Sequence, residues 1–250
     1  QGSDSTGKRG IDINYINPII FYRPVEFSLN SADNAVLGAN LKIKLFKQTS
    51  LYGQFMLDDL NLKKSKEGKG FFQQKYGYQI GVKSFNLFGV KNLYVQAEYN
   101  RVRPYVYSHK KRLQNYAHYN EALAHPLGAN FQEFVGIIGY RWKDISAELK
   151  FNYAVYGADT GMYSYGQNIF LSDYNAVNGI YSFGNSIGQG VKTTLVYAQF
   201  RLSYLINPKT NWNIFIEYTS RKQASDYSER SNSLFNIGMR TSLRNLYYDF

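Results

Sequence analysis

The sequence contains no cysteine and no long apolar run, and these two absences set the first limits on its class. Without cysteine the chain has no disulfide framework, no thiolate zinc site and no cysteine nucleophile. It contains no stretch of about 18 consecutive apolar residues, so we predict no transmembrane helix. It also lacks helical periodicity and internal repeats of about 20–50 residues, which disfavours α/β folds, propellers and solenoids.

Aromatic residues are abundant, since the 250 residues include 24 Tyr and 17 Phe. Such a composition excludes a disordered chain. The net charge is +11, but the Lys and Arg residues form neither a basic helix nor a recognised nucleic-acid motif. We therefore predict no nucleic-acid binding, and an acidic glycan or a lipopolysaccharide phosphate is the more natural partner for this charge.

Side chains alternate between apolar and polar along most of nine apolar segments. The clearest examples are residues 145–153 and 235–243, where every second residue is apolar or can face lipid. A period of two places the apolar residues on one face of a β-strand and the polar residues on the other. We predict strands at residues 35–45, 51–58, 76–83, 93–100, 131–141, 145–153, 196–206, 212–219 and 235–243.

The connections between these segments alternate in length. Short turns alternate with long polar loops, as in up-and-down transmembrane barrels, whereas a β-sandwich has no reason to alternate in this way. The sequence therefore predicts an all-β fold, a transmembrane up-and-down antiparallel β-barrel in a bacterial outer membrane. Residues 1–34 are predicted to be an irregular N-terminal segment with a possible first strand. The predicted barrel covers residues 35–250, with long extracellular loops at residues 59–72, 101–130, 156–189 and 221–232.

The predicted strand count bears on the size of the whole barrel. Counting back from a last strand that runs towards the periplasm gives about nine strands, whereas bacterial single-chain barrels have an even number. We therefore expect about ten strands, with an additional one at residues 10–21, or a larger barrel of which this chain is the C-terminal part. The polar start at Gln1 does not resemble a signal peptide, so we expect a leader cleaved upstream or a longer protein.

Several stretches of the sequence resemble a known family. They are Pro24-Val-Glu-Phe-Ser, Ser50-Leu-Tyr-Gly-Gln, Val95-Gln-Ala-Glu-Tyr-Asn-Arg-Val-Arg-Pro-Tyr, Tyr119-Asn-Glu-Ala-Leu-Ala-His-Pro-Leu-Gly-Ala-Asn, Ser186-Ile-Gly-Gln-Gly and Tyr247-Tyr-Asp-Phe. These stretches are similar to Bacteroidetes outer-membrane proteins identified as capsule-assembly proteins of the Wzi type, or as RemB-like proteins linked to gliding. The resemblance implies a large single-chain barrel with inward-folded loops. It also implies lectin-like anchoring or assembly of surface polysaccharide without catalysis.

Candidate ligand-binding residues are densest between Tyr99 and Asn130. Planar aromatic rings offer apolar faces to sugar rings, and arginine offers a fork of donors to uronate or phosphate oxygens. The alternative is that inward-folded loops use the same Tyr and Arg residues for packing, and the sequence leaves both interpretations open. The predicted glycan-binding residues are Arg101, Arg103, Tyr105, Tyr107, His125 and Asn130.

Metal and enzyme sites are less well supported. The histidines His109, His118 and His125 lack helical i, i+4 spacing and any zincin-like motif, so we predict no metal and no cofactor. The carboxylates of predicted strands are interleaved with Lys and Arg, which favours ion pairs over glycoside hydrolysis and predicts a protein that is not an enzyme. The other hypotheses are a passive porin-like channel and a gliding or secretion component. Expected partners are outer-membrane lipid, lipopolysaccharide, acidic surface polysaccharide and other outer-membrane proteins.

Overall fold

The computed structural model describes residues 3–4, 7–8, 34, 36–67, 70–161, 163–175 and 182–242. Nine strands form one antiparallel sheet in which each strand pairs with the next along the chain. The predicted all-β class is confirmed. The strands are β1 (Leu37–Leu45), β2 (Thr49–Leu60), β3 (Gln74–Phe85), β4 (Leu93–Val102), β5 (Phe131–Trp142), β6 (Ile145–Ala158), β7 (Val191–Asn207), β8 (Trp212–Ser225) and β9 (Glu229–Arg240).

Within the described residues, the regular structure outside this sheet is short. One four-residue helix, Leu62–Ser65, begins after Asn61, whose side chain accepts a hydrogen bond from the backbone amide of Lys64. No helix in the described ranges is long and apolar enough to cross a membrane. The remaining short elements are the strand pairs Ser3–Asp4 with Gly7–Lys8 and Ala117–His118 with Glu121–Ala122, and the 3₁₀ turns Leu87–Gly89, Arg112–Gln114 and Asp173–Asn175.

The two faces of the sheet differ as the period of two predicts. Ile216 of β8 pairs with Leu202 of β7 and with Ile237 of β9, and all three side chains are exposed on the same face. The next residue, Glu217, pairs with Arg201 on the opposite face. This alternation stays in register from strand to strand. We call the apolar side the outer face and the polar side the inner face.

The sheet curls around its inner face. Tyr94 of β4 and Arg240 of β9 line the same cavity of about 390 Å³. These strands are five neighbour spacings apart in the sheet order, which in a flat sheet amounts to roughly 24 Å. A cavity of this size can contact both strands only if the sheet is strongly curved. Among the described strands, however, β1 and β9 do not pair with each other or with a further strand. Closure of the curved sheet into a barrel therefore stays a prediction, and the predicted strand at residues 10–21 lies outside the described residues.

The connections place short turns at one end of the sheet and long loops at the other. The short-turn end carries the connections at residues 46–48, 86–92, 143–144 and 208–211, and the long-loop end carries those at residues 61–73, 103–130 and 159–190. The long loop predicted at residues 221–232 is wrong, because β8 and β9 extend through most of it and a three-residue turn joins them. This part of the hairpin has polar side chains on both faces, so it lacks the apolar alternation that marks the other strands.

The long loops fold back onto the inner face. The buried apolar core of the described residues lies between these loops and the strands beneath them, while the outer face contributes only Val155 to the buried apolar side chains. Loops and strands therefore share one core at the long-loop end. We call the loop segments 70–73, 103–130, 163–175 and 182–190 the loop cluster. The core residues are Val102, Val106, Tyr107, Ala129, Phe131, Tyr156 and Ile169.

Candidate functional site

Two of the predicted glycan-binding tyrosines are buried inside the loop cluster. Tyr105 is 2% exposed, and its hydroxyl donates a hydrogen bond to the carbonyl of Ser164 (3.2 Å). Tyr107 is 6% exposed and stacks on Tyr116 with ring centroids 5.6 Å apart. Burial raises the pKa of Tyr107 to about 12, with a further contribution from the nearby Asp58 carboxylate. Both rings are covered by protein, so neither offers a face to a sugar in this arrangement.

Asn130 joins three segments of the chain. Its side chain is completely buried and donates hydrogen bonds to the carbonyls of Gly157 (3.0 Å) and Gln189 (2.8 Å). The same side chain accepts a hydrogen bond from the backbone amide of Gly188 (2.8 Å). Asn130 has a left-handed backbone conformation with φ of 58°, which asparagine tolerates better than most residues. These contacts tie the start of β5 to the end of β6 and to the loop that precedes β7.

The remaining predicted residues lie in different surroundings. Arg103 donates from Nε to the carbonyl of Gln74 (2.9 Å) and lies over the ring of Tyr76. His125 contacts the carboxylate of Glu133 (3.2 Å) and is partly exposed. Arg101 is not brought together with the other five, because the alternation along β4 places it on the outer face. The contacts of this set thus match the packing interpretation, apart from the outward position of Arg101.

Two buried polar side-chain pairs hold the loop cluster against the sheet. Lys75 of β3 is 1% exposed, and its ammonium donates to Asp173 (3.0 Å) and to the carbonyl of Ser108 (2.6 Å). Asp58 of β2 is also buried and contacts Nε2 of His109 at 3.0 Å. Each pair joins a strand to a loop that is distant in sequence. The pairs therefore fix where the loops sit on the inner face.

Asp159 organises the beginning of the last long loop. Its carboxylate accepts hydrogen bonds from the backbone amides of Tyr165 and Asn168 (2.6 Å for the latter). Burial raises the pKa of Asp159, and the backbone amides that it accepts from oppose this effect. The side chain acts as a turn-forming group in this arrangement, not as a ligand-binding one.

The carboxylates on the inner face of the strands are paired in two different ways. Glu217 pairs with Arg201 (2.7 Å from Nε), and Glu148 pairs with Lys150 (3.2 Å), as the interleaving of acids and bases suggested. Glu98 instead accepts hydrogen bonds from neutral groups, because the Tyr52 hydroxyl (2.6 Å) and the side-chain amides of its neighbours surround it. This network of carboxylates and neutral donors continues from Asn100 to Glu133 (2.9 Å) and extends across strands β2 to β6.

An exposed basic segment that was not among the predicted site residues lies in the loop cluster. Lys110, Lys111 and Arg112 are consecutive and all exposed. Two exposed rings belong to the same region: Tyr119 is 90% exposed, and the Tyr174 ring lies 4.5 Å from the Lys110 ammonium. We call this region, residues 110–120 with Tyr174, the basic tip. The signal that reveals it is the uninterrupted run of three basic residues in a segment otherwise rich in tyrosine.

A second exposed feature is the cavity of about 390 Å³ on the inner face at the short-turn end. Three arginines from three different strands line it, together with the aromatic rings of Tyr94 and Phe215. We call it the arginine pocket. Its arginines are Arg141, Arg201 and Arg240, and its carboxylates are Asp144 and Glu148.

Potential metal ligands do not cluster among the residues that the structure describes. No group of three or more His, Asp or Glu side chains in the described part of the chain is placed to hold a metal ion. The three histidines contact different partners: Asp58 for His109, Glu133 for His125 and the ring of Tyr119 for His118. Each imidazole thus has a separate structural neighbour.

Comparison of the chain with protein-family models, with curated proteins and with solved structures finds no match.

Proposed function

We propose that this chain forms a β-barrel in a bacterial outer membrane, which holds acidic surface polysaccharide at its long-loop end without catalysis. The observation that carries the proposal is the apolar outer face. Large apolar side chains are exposed along that face of eight of the nine strands and are half-buried on β4, whereas monomeric soluble proteins rarely expose contiguous apolar patches larger than a few hundred Å². A lipid bilayer is the natural solvent for such a surface.

The height of the apolar face indicates that a lipid bilayer, rather than a protein partner, covers it. On β6 the exposed outward residues are apolar from Ile145 to Tyr153, eight steps along the strand. At about 3.3 Å per residue and a tilt of about 40°, eight steps span roughly 20 Å along the membrane normal. That distance covers most of the apolar band of outer-membrane barrels, which is about 25 Å tall.

The loop cluster favours a polysaccharide-holding role rather than that of a passive channel. Loop residues pack onto the inner face at the long-loop end, where they bury Asn100, Val102 and Phe131. In a closed barrel this packing obstructs the long-loop end of the lumen. A planar bilayer recording tests the alternative: we expect low conductance, and steady ohmic conductance of a porin would contradict this part of the proposal.

The basic tip supports contact with an acidic glycan. Three exposed cations attract carboxylate or phosphate groups, and the exposed Tyr119 ring offers an apolar face to a sugar ring. The tip lies at the long-loop end, which faces the cell exterior in outer-membrane barrels. This surface replaces the buried tyrosines as the site that we propose for polysaccharide.

Membrane insertion is testable through the two tryptophans of the chain, Trp142 and Trp212, which lie on the outer face near the short-turn end. In vesicles of phosphatidylcholine brominated in the acyl chains, we expect strong quenching of their fluorescence, because both rings contact lipid. Acrylamide, a water-soluble quencher, is expected to have little effect. The single variants Trp142→Phe and Trp212→Phe assign the signal to each position. Quenching by acrylamide alone would contradict insertion of this face.

Glycan contact is testable by removing the charge of the basic tip. We expect the triple variant Lys110→Gln, Lys111→Gln, Arg112→Gln to bind polyglucuronate roughly tenfold or more weakly than the parent, because three charge-assisted contacts are lost. The matched control is Lys47→Gln, Lys91→Gln, Lys209→Gln, which removes the same charge from exposed short turns. Proteoliposome co-sedimentation over a range of salt measures both. Equal weakening in the two variants would show a net-charge effect and would contradict a site at the tip.

A further inference from the structure

The arginine pocket lies apart from the proposed polysaccharide surface. It is bounded by residues of three short turns, Asn92, Asp144 and Asn211, whereas the loop cluster covers the opposite end of the inner face. A ligand reaches the pocket from the short-turn end without passing the loop cluster. The proposed function uses none of its residues.

Two of the three arginines are held in place by the protein. Arg201 forms a two-point ion pair with Glu217 and lies over the ring of Phe215, with the guanidinium carbon 5.1 Å from the ring centroid. Arg141 donates from Nε to the carbonyl of Lys143 (3.2 Å), which leaves its terminal nitrogens for other acceptors. Donors that are held in this way lose little conformational entropy when an anion binds.

Arg240 supplies an additional cation. It lines the pocket, and its side chain has no hydrogen-bond or ion-pair partner among the residues that the structure describes. Counting the pocket lining alone, three arginines face two carboxylates, Asp144 and Glu148, which leaves an excess of one positive charge. Lys150 pairs with Glu148, and Glu217 pairs with Arg201, so these neighbours do not change the excess. The pocket therefore has an uncompensated cation.

The other walls suit a small ligand with both apolar and hydroxyl surfaces. Tyr94 and Phe215 provide aromatic faces. The amides of Asn92, Asn211 and Asn213 each donate one hydrogen bond within the protein, which leaves a second N–H and the amide oxygen of each for a ligand. The volume of about 390 Å³ lies within the range of small-molecule sites, roughly 300–1,000 Å³. Together with the cations, this lining matches one sugar residue that carries an anionic group.

We infer that the arginine pocket binds a single anionic sugar residue, with its carboxylate or phosphate on the guanidinium groups. Guanidinium matches both groups with paired N–H donors, so the geometry favours neither one over the other. The ligand comes from the compartment that the short-turn end faces, which is the periplasm if the proposed membrane orientation is correct. The binding itself does not depend on that orientation.

Calorimetric titration of the folded, detergent-solubilised chain with four probes tests the inference. The probes are glucuronate, glucose 6-phosphate, glucose and inorganic phosphate. We expect one or both anionic sugars to bind, glucose not to bind, and phosphate alone to bind more weakly than glucose 6-phosphate if phosphate is the recognised group. The comparison of glucuronate with glucose 6-phosphate identifies the anion. Equal binding of glucose and glucuronate, or no binding of any probe, would overturn the inference.

Variants separate the pocket from the rest of the molecule. Arg240→Gln is expected to weaken the anionic sugar roughly tenfold or more, because it removes one charge-assisted contact at an exposed position. The matched control Arg221→Gln changes another inner-face arginine, one that does not line the pocket, and is expected to have no effect. Heat-modifiable gel mobility verifies that both variants fold. Polyglucuronate binding at the basic tip should stay unchanged in Arg240→Gln, so failure of the pocket and failure of the proposed function are distinguishable. An unchanged affinity in Arg240→Gln contradicts the site.

Discussion

Replacing Asn130 with alanine is expected to release the loop cluster while the nine-stranded sheet stays folded. The substitution removes the donors to Gly157 and Gln189 and the acceptor for Gly188; the first of these hydrogen bonds is buried and the other two are partly buried. Each buried polar group left without a partner costs about 1–3 kcal/mol. Alanine at a φ of 58° adds about 1 kcal/mol of backbone strain. Because these effects come from one site, they are not simply additive. We therefore take the lower end of their sum, roughly 4 kcal/mol, as the smallest loss of stability expected for the loop cluster.

Limited proteolysis and amide hydrogen exchange measure this release. Cleavage within residues 103–130 should become fast in Asn130→Ala, while exchange in the strands stays slow. Asn120→Ala is the matched control, because Asn120 has a similar φ of 62° but is exposed, and its side chain makes no hydrogen bond to another described residue. Asn130→Gly keeps the backbone relaxed and isolates the hydrogen bonds. If Asn130→Ala behaves like Asn120→Ala, the buried bonds do not hold the cluster.

Removing the charge of Lys75 is expected to have a comparable effect. In Lys75→Met the carboxylate of Asp173 stays buried without its cation, and breaking a buried pair in this way costs about 3–5 kcal/mol. The carbonyl of Ser108 also loses its donor. The loops that carry Ser108 and Asp173 should then separate from β3, which lowers the thermal stability of the cluster and increases its proteolysis.

The double variant Lys75→Met, Asp173→Leu distinguishes a lost pair from lost packing. It removes both charges, and buried pairs replaced by apolar groups of similar size are often neutral or stabilising. One oxygen of Asp173 is already buried without a partner in the described structure, so its removal relieves a cost. We therefore expect the double variant to recover much of the stability that the single variant loses. No recovery would contradict the electrostatic explanation.

A surface pair provides the control for this comparison. Lys222 and Glu229 are 2.6 Å apart, and both side chains are more than half exposed. Solvent screens such pairs, so Lys222→Met should leave the stability nearly unchanged. A loss as large as that of Lys75→Met would show that methionine itself, and not the buried charge, is responsible.

The strands and their faces could be predicted because each strand carries its own signal. In β6, for example, Leu149 and Lys150 alternate between an exposed apolar face and a polar one, and no distant residue is needed to read that pattern. The same reasoning missed the extension of β8 and β9, where the side chains of Arg221 and Lys222 are both polar. Pairing such as that of Ala224 with Glu229 continues the ladder there without an apolar face.

The loop cluster could not be predicted because its contacts join distant parts of the chain. Lys75 and Asp173 are 98 positions apart, and nothing near Lys75 marks it as a buried residue. For Tyr105 and Tyr107, composition allowed both sugar stacking and packing, and only the fold of the loop decides between solvent and core. Arg101 is a different case, because its outward position follows from the alternation of side chains along β4. The sequence alone was therefore sufficient to separate Arg101 from the other five predicted residues.

The unpaired edges of β1 and β9 have a consequence for assembly. Along those edges the backbone amides and carbonyls have no ladder partner among the described strands. Each such group costs several kcal/mol when it enters hydrocarbon unsatisfied. If the outer face contacts lipid, the two edges must find partners before or during insertion, whether in each other or in further strands. Insertion of this protein then depends on a step that pairs the two edges before the sheet is fully immersed in lipid. A competing β-strand peptide that occupies either edge should therefore arrest the protein at the membrane surface.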